Sequence, residues 1–221
     1  GVILTFDDGF KDHYTYVLPE LKKRNLWGLF YIPTKVFSTE TLLGVHRIHY
    51  LKGKYGSDRI LKDTIMLVEE HMLDKETIKE FDKEIYKGAN YGKDEKKLRR
   101  LFNYYISYNY RDAILDKLMS KYFDEKKLHN NLYLNLEEVL KIKRAGSIIG
   151  AHSVTHKVLS RLSYREQEDE IKDSLNFLRE KVGVTPPYSF CYPYGYKASY
   201  NNDTIKILKN NQVNNATVFD N

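Results

Sequence analysis

Residues 2–33 constrain the fold more than any other stretch. Val2-Ile3-Leu4-Thr5-Phe6 is a short apolar, β-branched run that reads as a buried strand, and Leu29-Phe30-Tyr31-Ile32, closed by Pro33, reads as a second. Between them Tyr14, Val17, Leu18 and Leu21 recur at helical spacing, and Lys22-Lys23-Arg24 fall in the last turn, where cations suit the helix dipole. A strand, a helix and a second strand in that order make a β–α–β unit. The crossover returns the chain to its starting edge, so the two strands lie parallel. The expected class is α/β.

From about residue 42 to 131 the rhythm changes. Amphipathic helices are expected over 60–72, 75–86, 94–108 and 113–123, with no convincing strand among them. The stretch reads as a large helical insertion into a single domain spanning 1–221. Its tyrosine cluster, Tyr104, Tyr105, Tyr108 and Tyr110, is expected to pack between helices rather than line a sugar groove. Alternation then resumes. A helix over 136–143 ends at Gly146 and leads into the strand Ser147-Ile148-Ile149-Gly150; Ser163 and Glu166 form a capping box that opens a helix running to Lys181. Strands over 188–192 and 216–219 flank a short helix over 204–209.

At 221 residues the chain can bury one substantial core. The single cysteine, Cys191, excludes an internal disulfide framework and a thiolate zinc cage. The net charge of +6 comes largely from lysines interleaved with acids, as in Lys93-Asp94-Glu95-Lys96-Lys97. That pattern describes a solvated helix face, and no nucleic-acid partner is expected. No apolar run is long enough to span a bilayer and no signal peptide opens the chain. It begins on Gly1, just before one core strand, and stops shortly after another, so trimming at both ends is expected; the cell envelope and a cytoplasmic glycan-assembly pathway are both compatible locations.

Asp7 and Asp8 stand side by side where the first strand ends. In a parallel sheet that end faces the crevice where ligands bind. Adjacent carboxylates repel unless a cation neutralises them, although an acidic Asp-Gly turn capping the next helix is the plainer reading of the pair alone. His152 and His156 follow the strand ending at Gly150, hence the same edge. Two imidazoles four residues apart can meet one ion, and with one carboxylate they leave coordination positions open for water and substrate. Tyr192-Pro193-Tyr194-Gly195 lies at a third strand end, where backbone N–H groups of a tight turn can stabilise an oxyanion.

Three segments, Thr5-Phe6-Asp7-Asp8-Gly9, His152-Ser153-Val154-Thr155-His156 and Tyr192-Pro193-Tyr194-Gly195, resemble in order the first three motifs of the NodB-type polysaccharide deacetylases, carbohydrate esterase family 4. The likeness covers residues 2–36 and about 132–219, including the lead-in Gly146-Ser147-Ile148-Ile149-Gly150-Ala151. It implies a distorted (β/α) barrel, here with a large helical insertion. By the same resemblance Asp7 is the catalytic base, and Asp8, His152 and His156 hold one divalent metal ion, usually zinc, with Co2+ or Ni2+ as alternatives. The Tyr194 amide helps form an oxyanion hole. Tyr192, Pro193, Gly195 and His13 are candidate substrate contacts, and the partner is an N-acylated amino-sugar glycan or its precursor.

Three departures stand out. An arginine common in the third motif, where it steadies the catalytic aspartate, is Cys191 here, and nearby Arg161 is a candidate replacement. The connection between the first two motifs is unusually long. The family's late Leu-x-His motif, whose histidine serves as general acid, is not found. These departures motivate a second reading, a degenerate carbohydrate-binding module of the same fold. An iron(II) oxygenase shares the two-histidine, one-carboxylate donor set, but alternating β and α elements do not favour it.

Overall fold

The computed structural model of the chain describes residues 1–81, 85–86 and 90–219. In chain order the elements are β1 (Thr5–Phe6), α1 (Leu18–Lys23), β2 (Leu29–Ile32), α2 (Gly44–Tyr55), α3 (Ser57–Ile65), α4 (Lys75–Phe81), α5 (Lys93–Arg100), α6 (Tyr108–Tyr122), α7 (Glu125–Leu132), α8 (Leu136–Arg144), β3 (Ile148–Ala151), α9 (Tyr164–Phe177), β4 (Tyr188–Cys191), α10 (Asn202–Asn210) and β5 (Val213–Thr217). They fall into two compact units, Gly1–Thr41 with Lys126–Asn221, and Leu42–Glu125.

In the first unit five strands pair in the order β1-β2-β3-β4-β5, every pair parallel. Each crossover carries at least one helix, as parallel pairing requires. The strands and their surrounding helices make a half-barrel of the distorted (β/α) type. Phe30, Tyr31 and Ile32 have no exposed surface, which explains why β2 is an unbroken apolar run. Ala151 and Phe190, paired across β3 and β4, are equally buried. Gly150 is required by close packing: a Cβ there would sit 2.5 Å from the Tyr31 ring. The Tyr31 hydroxyl is satisfied by Ser189 Oγ at 2.8 Å.

The sheet edges differ from expectation. The first strand begins at Thr5, and Val2, Ile3 and Leu4 are 88, 63 and 40 % exposed. Among the described residues β1 pairs only with β2, so residues ahead of that pairing are not enclosed. β5 covers Val213–Thr217 rather than 216–219, because Asn214 and Asn215 disguise a strand that has a partner on one side only. Helix starts are better specified. The Ser163–Glu166 capping box forms as expected, and Asn135–Glu138 and Asn201–Thr204 form two more.

The second unit is helical, and its described residues pair in no strand beyond an isolated bridge between Leu73 and Ile106. Ile48, Leu51, Ile60, Leu98, Phe102 and Leu115 build its core. The expected 60–72 helix stops at Ile65 in α3, and the expected 94–108 helix divides into α5 and a wider turn over Leu101–Tyr105. Of the expected 75–86 helix, α4 ends at Phe81 and positions 82–84 lie outside the described residues. Helix α2 was not expected, since it buries His46 and Arg47 beside Ile48 and Leu51. Arg47 is accommodated by Glu125, at 2.6 and 3.0 Å, and by Asp116 at 2.9 Å. Glu125 also accepts the Leu42 N–H at 2.8 Å, tying the two ends of the unit together. Tyr104 is fully buried, in line with a packing role, whereas Tyr110 is 37 % exposed beside His71. No described helix is long and apolar enough to cross a membrane.

Candidate metal centre

Parallel strands put their carboxyl ends on one rim, and the motif residues sit there. Asp7 and Asp8 leave β1, His152 leaves β3, and Cys191 ends β4 with Tyr192 to Gly195 following. The rim backbone is unusual. Of seven non-glycine residues with positive φ among those described, Asp8 (73°), Ser153 (58°), His156 (57°) and Tyr194 (65°) all belong to these three loops. Such conformations cost roughly 1–3 kcal/mol each and persist only where surrounding contacts enforce them, which is common at ligand sites.

The contacts around the histidine loop are identifiable. Glu170, on α9, turns its carboxylate into the loop: Oε2 accepts the Val154 and Thr155 N–H groups at 2.9 and 2.8 Å, and Oε1 accepts the Thr155 hydroxyl. Ser153 Oγ accepts the His156 N–H at 3.0 Å. Thr34 and Lys35, just past β2, donate their N–H groups to Ser153 and Val154 carbonyls at 3.2 and 3.0 Å. Sequence reasoning missed Glu170. The signal was a carboxylate within the buried α9 stripe of Gln167, Ile171, Ser174 and Leu175, where an acid needs a partner.

Asp8 Oδ1 lies 3.5 Å from His152 Nε2 and 3.4 Å from His156 Nε2. The three donors come within 4.8 Å of one another. Metal–ligand bonds of about 2.0–2.1 Å in a tetrahedral site put neighbouring donors about 3.3–3.4 Å apart, so the observed spacing fits a divalent ion. The imidazole rings are 4.7 Å apart and nearly perpendicular, with both residues buried. His152 Nδ1–H donates to the Cys191 carbonyl at 2.8 Å, which leaves Nε2 as the ligand atom and fixes the ring. Burial opposes a charge on His152, but the hydrogen bonds with Asp8 and Cys191 outweigh it and hold its pKa well above the usual value.

Asp7 points elsewhere. The Cys191 thiol donates to Asp7 Oδ2 at 3.5 Å, and Asp7 Oδ1 is buried with no hydrogen-bond partner. Burial raises the Asp7 pKa; His152 and the thiol pull it down in part, and Asp8 pushes it up. Arg161 lies on the short turn Leu159–Arg161.

The loop after β4 is held by aromatic stacking and by β5. Tyr192 is 6 % exposed and stacks on Tyr200 at 4.1 Å, and burial pushes its pKa up to about 12. Pro193 separates it from Tyr194, whose ring lies 5.1 Å from that of His156. Gly195 accepts the Phe219 N–H at 2.9 Å, and any Cβ on it would come within 2.6 Å of that nitrogen. His13, a candidate substrate contact, is 8 % exposed and ringed by Phe6, Phe10 and Phe30 at 5.7–5.8 Å. Burial pushes its pKa down to about 4.

The polysaccharide deacetylase family matches residues 115–216, a segment that contains the histidine loop and the loop after β4 but not Asp7 and Asp8. No curated protein matches the sequence. Among solved structures the chain is similar to Streptococcus pyogenes deacetylase PplD in complex with acetate, with 17 % identity and a TM-score of 0.50 over 95 % of this chain and 51 % of that one. It is also similar to the BpsB deacetylase domain from Bordetella bronchiseptica, with 15 % identity and a TM-score of 0.52 over 98 % of this chain and 63 % of that one. A de-N-acetylase from Aggregatibacter actinomycetemcomitans gives 12 % identity and a TM-score of 0.51 over 97 and 62 %. The chain thus spans 51–63 % of these relatives' length, and at such identities the likeness is one of fold. The polysaccharide deacetylase match over residues 115–216, the parallel sheet order and the order of the three motifs agree with one another.

Proposed function

We propose that the chain is the catalytic part of a divalent-metal hydrolase that removes N-acetyl, or N-formyl, groups from an amino sugar in a cell-envelope polysaccharide or its precursor. The observation that carries this reading is the placement of Asp8 Oδ1 at 3.4–3.5 Å from two imidazole nitrogens. Asp8, His152 and His156 would hold the ion, most readily Zn2+, with Co2+ or Ni2+ as substitutes. An ion there supplies Lewis acidity toward the amide carbonyl oxygen.

The residues of the chain do the rest. Asp7 accepts a proton from the attacking water while the oxygen–carbon bond forms. The Tyr194 N–H, presented by a left-handed turn, donates to the carbonyl oxygen as charge develops there. Asp7 returns that proton to the nitrogen as the carbon–nitrogen bond breaks, releasing the carboxylic acid and leaving a free amine on the sugar. Tyr192, Pro193 and Gly195, themselves buried, brace the turn that presents Tyr194 to the sugar, and His13 supports the aspartate loop from the core.

Mass-spectrometric screening of N-acylated amino sugars, as oligomers and as small precursors, tests the reading with and without chelator. Acyl release that chelator abolishes and Zn2+ restores is expected. Metal binding without release from any N-acyl sugar by the full-length protein would overturn it in favour of a carbohydrate-binding module.

A further inference from the structure

Cys191 occupies the place where an arginine was expected, and its surroundings suit a different chemistry. Its thiol lies 3.5 Å from Asp7 Oδ2. Its own carbonyl holds His152 Nδ1 at 2.8 Å, so the remaining His152 nitrogen is turned toward the aspartates. The Asp7 carboxylate, a His152 ring nitrogen and the Cys191 sulfur all come within 4.8 Å of one another. Asp7 Oδ1, buried without a hydrogen-bond partner, has a lone pair that nothing in the described structure engages. Cys191 and His152 are 6 and 2 % exposed, so a cation there would be held from the protein side by buried donors and reached from solvent on the side of Asp7.

We infer that Asp7, His152 and Cys191 form a second cation site, overlapping the first at His152 and selective for thiophilic ions. The inference rests on the reading of Asp8, His152 and His156 as the first. Donors in a filled tetrahedral site with bonds of about 2.0–2.3 Å lie roughly 3.3–3.8 Å apart, which small side-chain rotations reach from the spacing seen. A set of one sulfur, one nitrogen and one oxygen favours soft ions such as Cd2+, whereas the first triad, with no sulfur, does not distinguish them. Binding forms a sulfur–metal bond and releases the thiol proton to solvent. Because His152 is shared, one ion at a time is held. An ion in the second site also takes Asp7 out of proton transfer, so thiophilic ions inhibit by capturing the base.

The test titrates full-length wild type, Cys191→Ser and His156→Ala with Cd2+ and, separately, Co2+, reading sulfur-to-metal charge-transfer absorption and calorimetric affinity. Cys191 is the only cysteine, so the signal has one source. Cd2+ is expected to produce the band in wild type and in His156→Ala, and none in Cys191→Ser. In Cys191→Ser the Cd2+ affinity is expected to fall by about ten- to a hundred-fold, with Co2+ affinity unchanged. No band in Cd2+-saturated wild type, or equal Cd2+ affinity in wild type and Cys191→Ser, would overturn the second site. A wild type that hydrolyses N-acyl sugars yet shows no band sinks this site and leaves the hydrolase. A band without hydrolysis does the reverse.

Discussion

The molecule contains two closely spaced histidine pairs, and they came to different ends. His46 and His49 lie on the regular helix α2, with rings 6.4 Å apart, His46 buried and His49 exposed. His152 and His156 lie on an irregular loop, with rings 4.7 Å apart, both buried, and Asp8 within 3.5 Å of each. Among the described residues only the loop pair joins a cluster of metal-ligand type. The lesson is that spacing alone decides little. The helix sends one imidazole into the core and leaves the other in solvent, with no described carboxylate placed between them in a ligand cluster, whereas the loop buries both and a carboxylate arrives from a strand 144 positions earlier in the chain.

The largest expected effect comes from breaking the loop pair. His152→Ala is expected to abolish stoichiometric divalent-ion binding by calorimetry; retained binding would dissolve the contrast between the pairs. Asp7→Asn should lower acyl release by about 10²- to 10⁴-fold, the usual contribution of a general base, while leaving Co2+ affinity in place. Equal turnover in that variant would remove Asp7 from the chemistry.

A third histidine sharpens the contrast by being in neither environment. His13 keeps its pKa near 4 in the fold, below an unfolded value of 6.5, so the native state resists its protonation. Its contribution to stability is fully present above pH 6.5 and is lost as pH falls from there toward 4. The total is on the order of 3 kcal/mol at about 1.4 kcal/mol per pKa unit. Urea midpoints in chelator at pH 7.5 and 4.5 measure this, and His13→Phe should flatten the wild-type decline. An unchanged slope would place His13 outside the core chemistry.

Smaller again is Glu170→Gln, which keeps the shape but weakens the acceptor for two loop N–H groups and a hydroxyl. Ion affinity should fall by about ten- to a hundred-fold, with helix content by circular dichroism unchanged. The smallest effect belongs to His46→Ala, for which ion affinity should match wild type; a loss there would make the helical pair a ligand after all.

Much of the rim was legible because strand ends are legible. Once β1, β2 and β3 were read as parallel, the residues following them had to share an edge, and Asp7, Asp8 and His152 followed. Other features were hidden for physical reasons. Helix α2 escaped because Arg47 sits where an apolar residue is expected, and its compensating partner Glu125 is 78 positions away in sequence. β5 escaped because an edge strand tolerates Asn214 and Asn215 on its open sides. The left-handed backbone at Ser153, His156 and Tyr194 carries no glycine to announce it. Glu170 acts on main-chain N–H groups, which are the same whatever the loop's side chains.

The hydrogen bond from the Leu42 amide to Glu125 has a consequence for how the chain can assemble. Strands β2 and β3 must zip together although residues 42–125 intervene. An unstructured tether of that length would impose a closure entropy that grows with the logarithm of its length, about 0.6 kcal/mol for each doubling. Fastening its entrance to its exit shortens the effective tether to residues 33–41 and 126–147. For the sheet, the helical passage then counts as one closed step, and the closure that brings β2 to β3 spans only the shorter remainder of the chain.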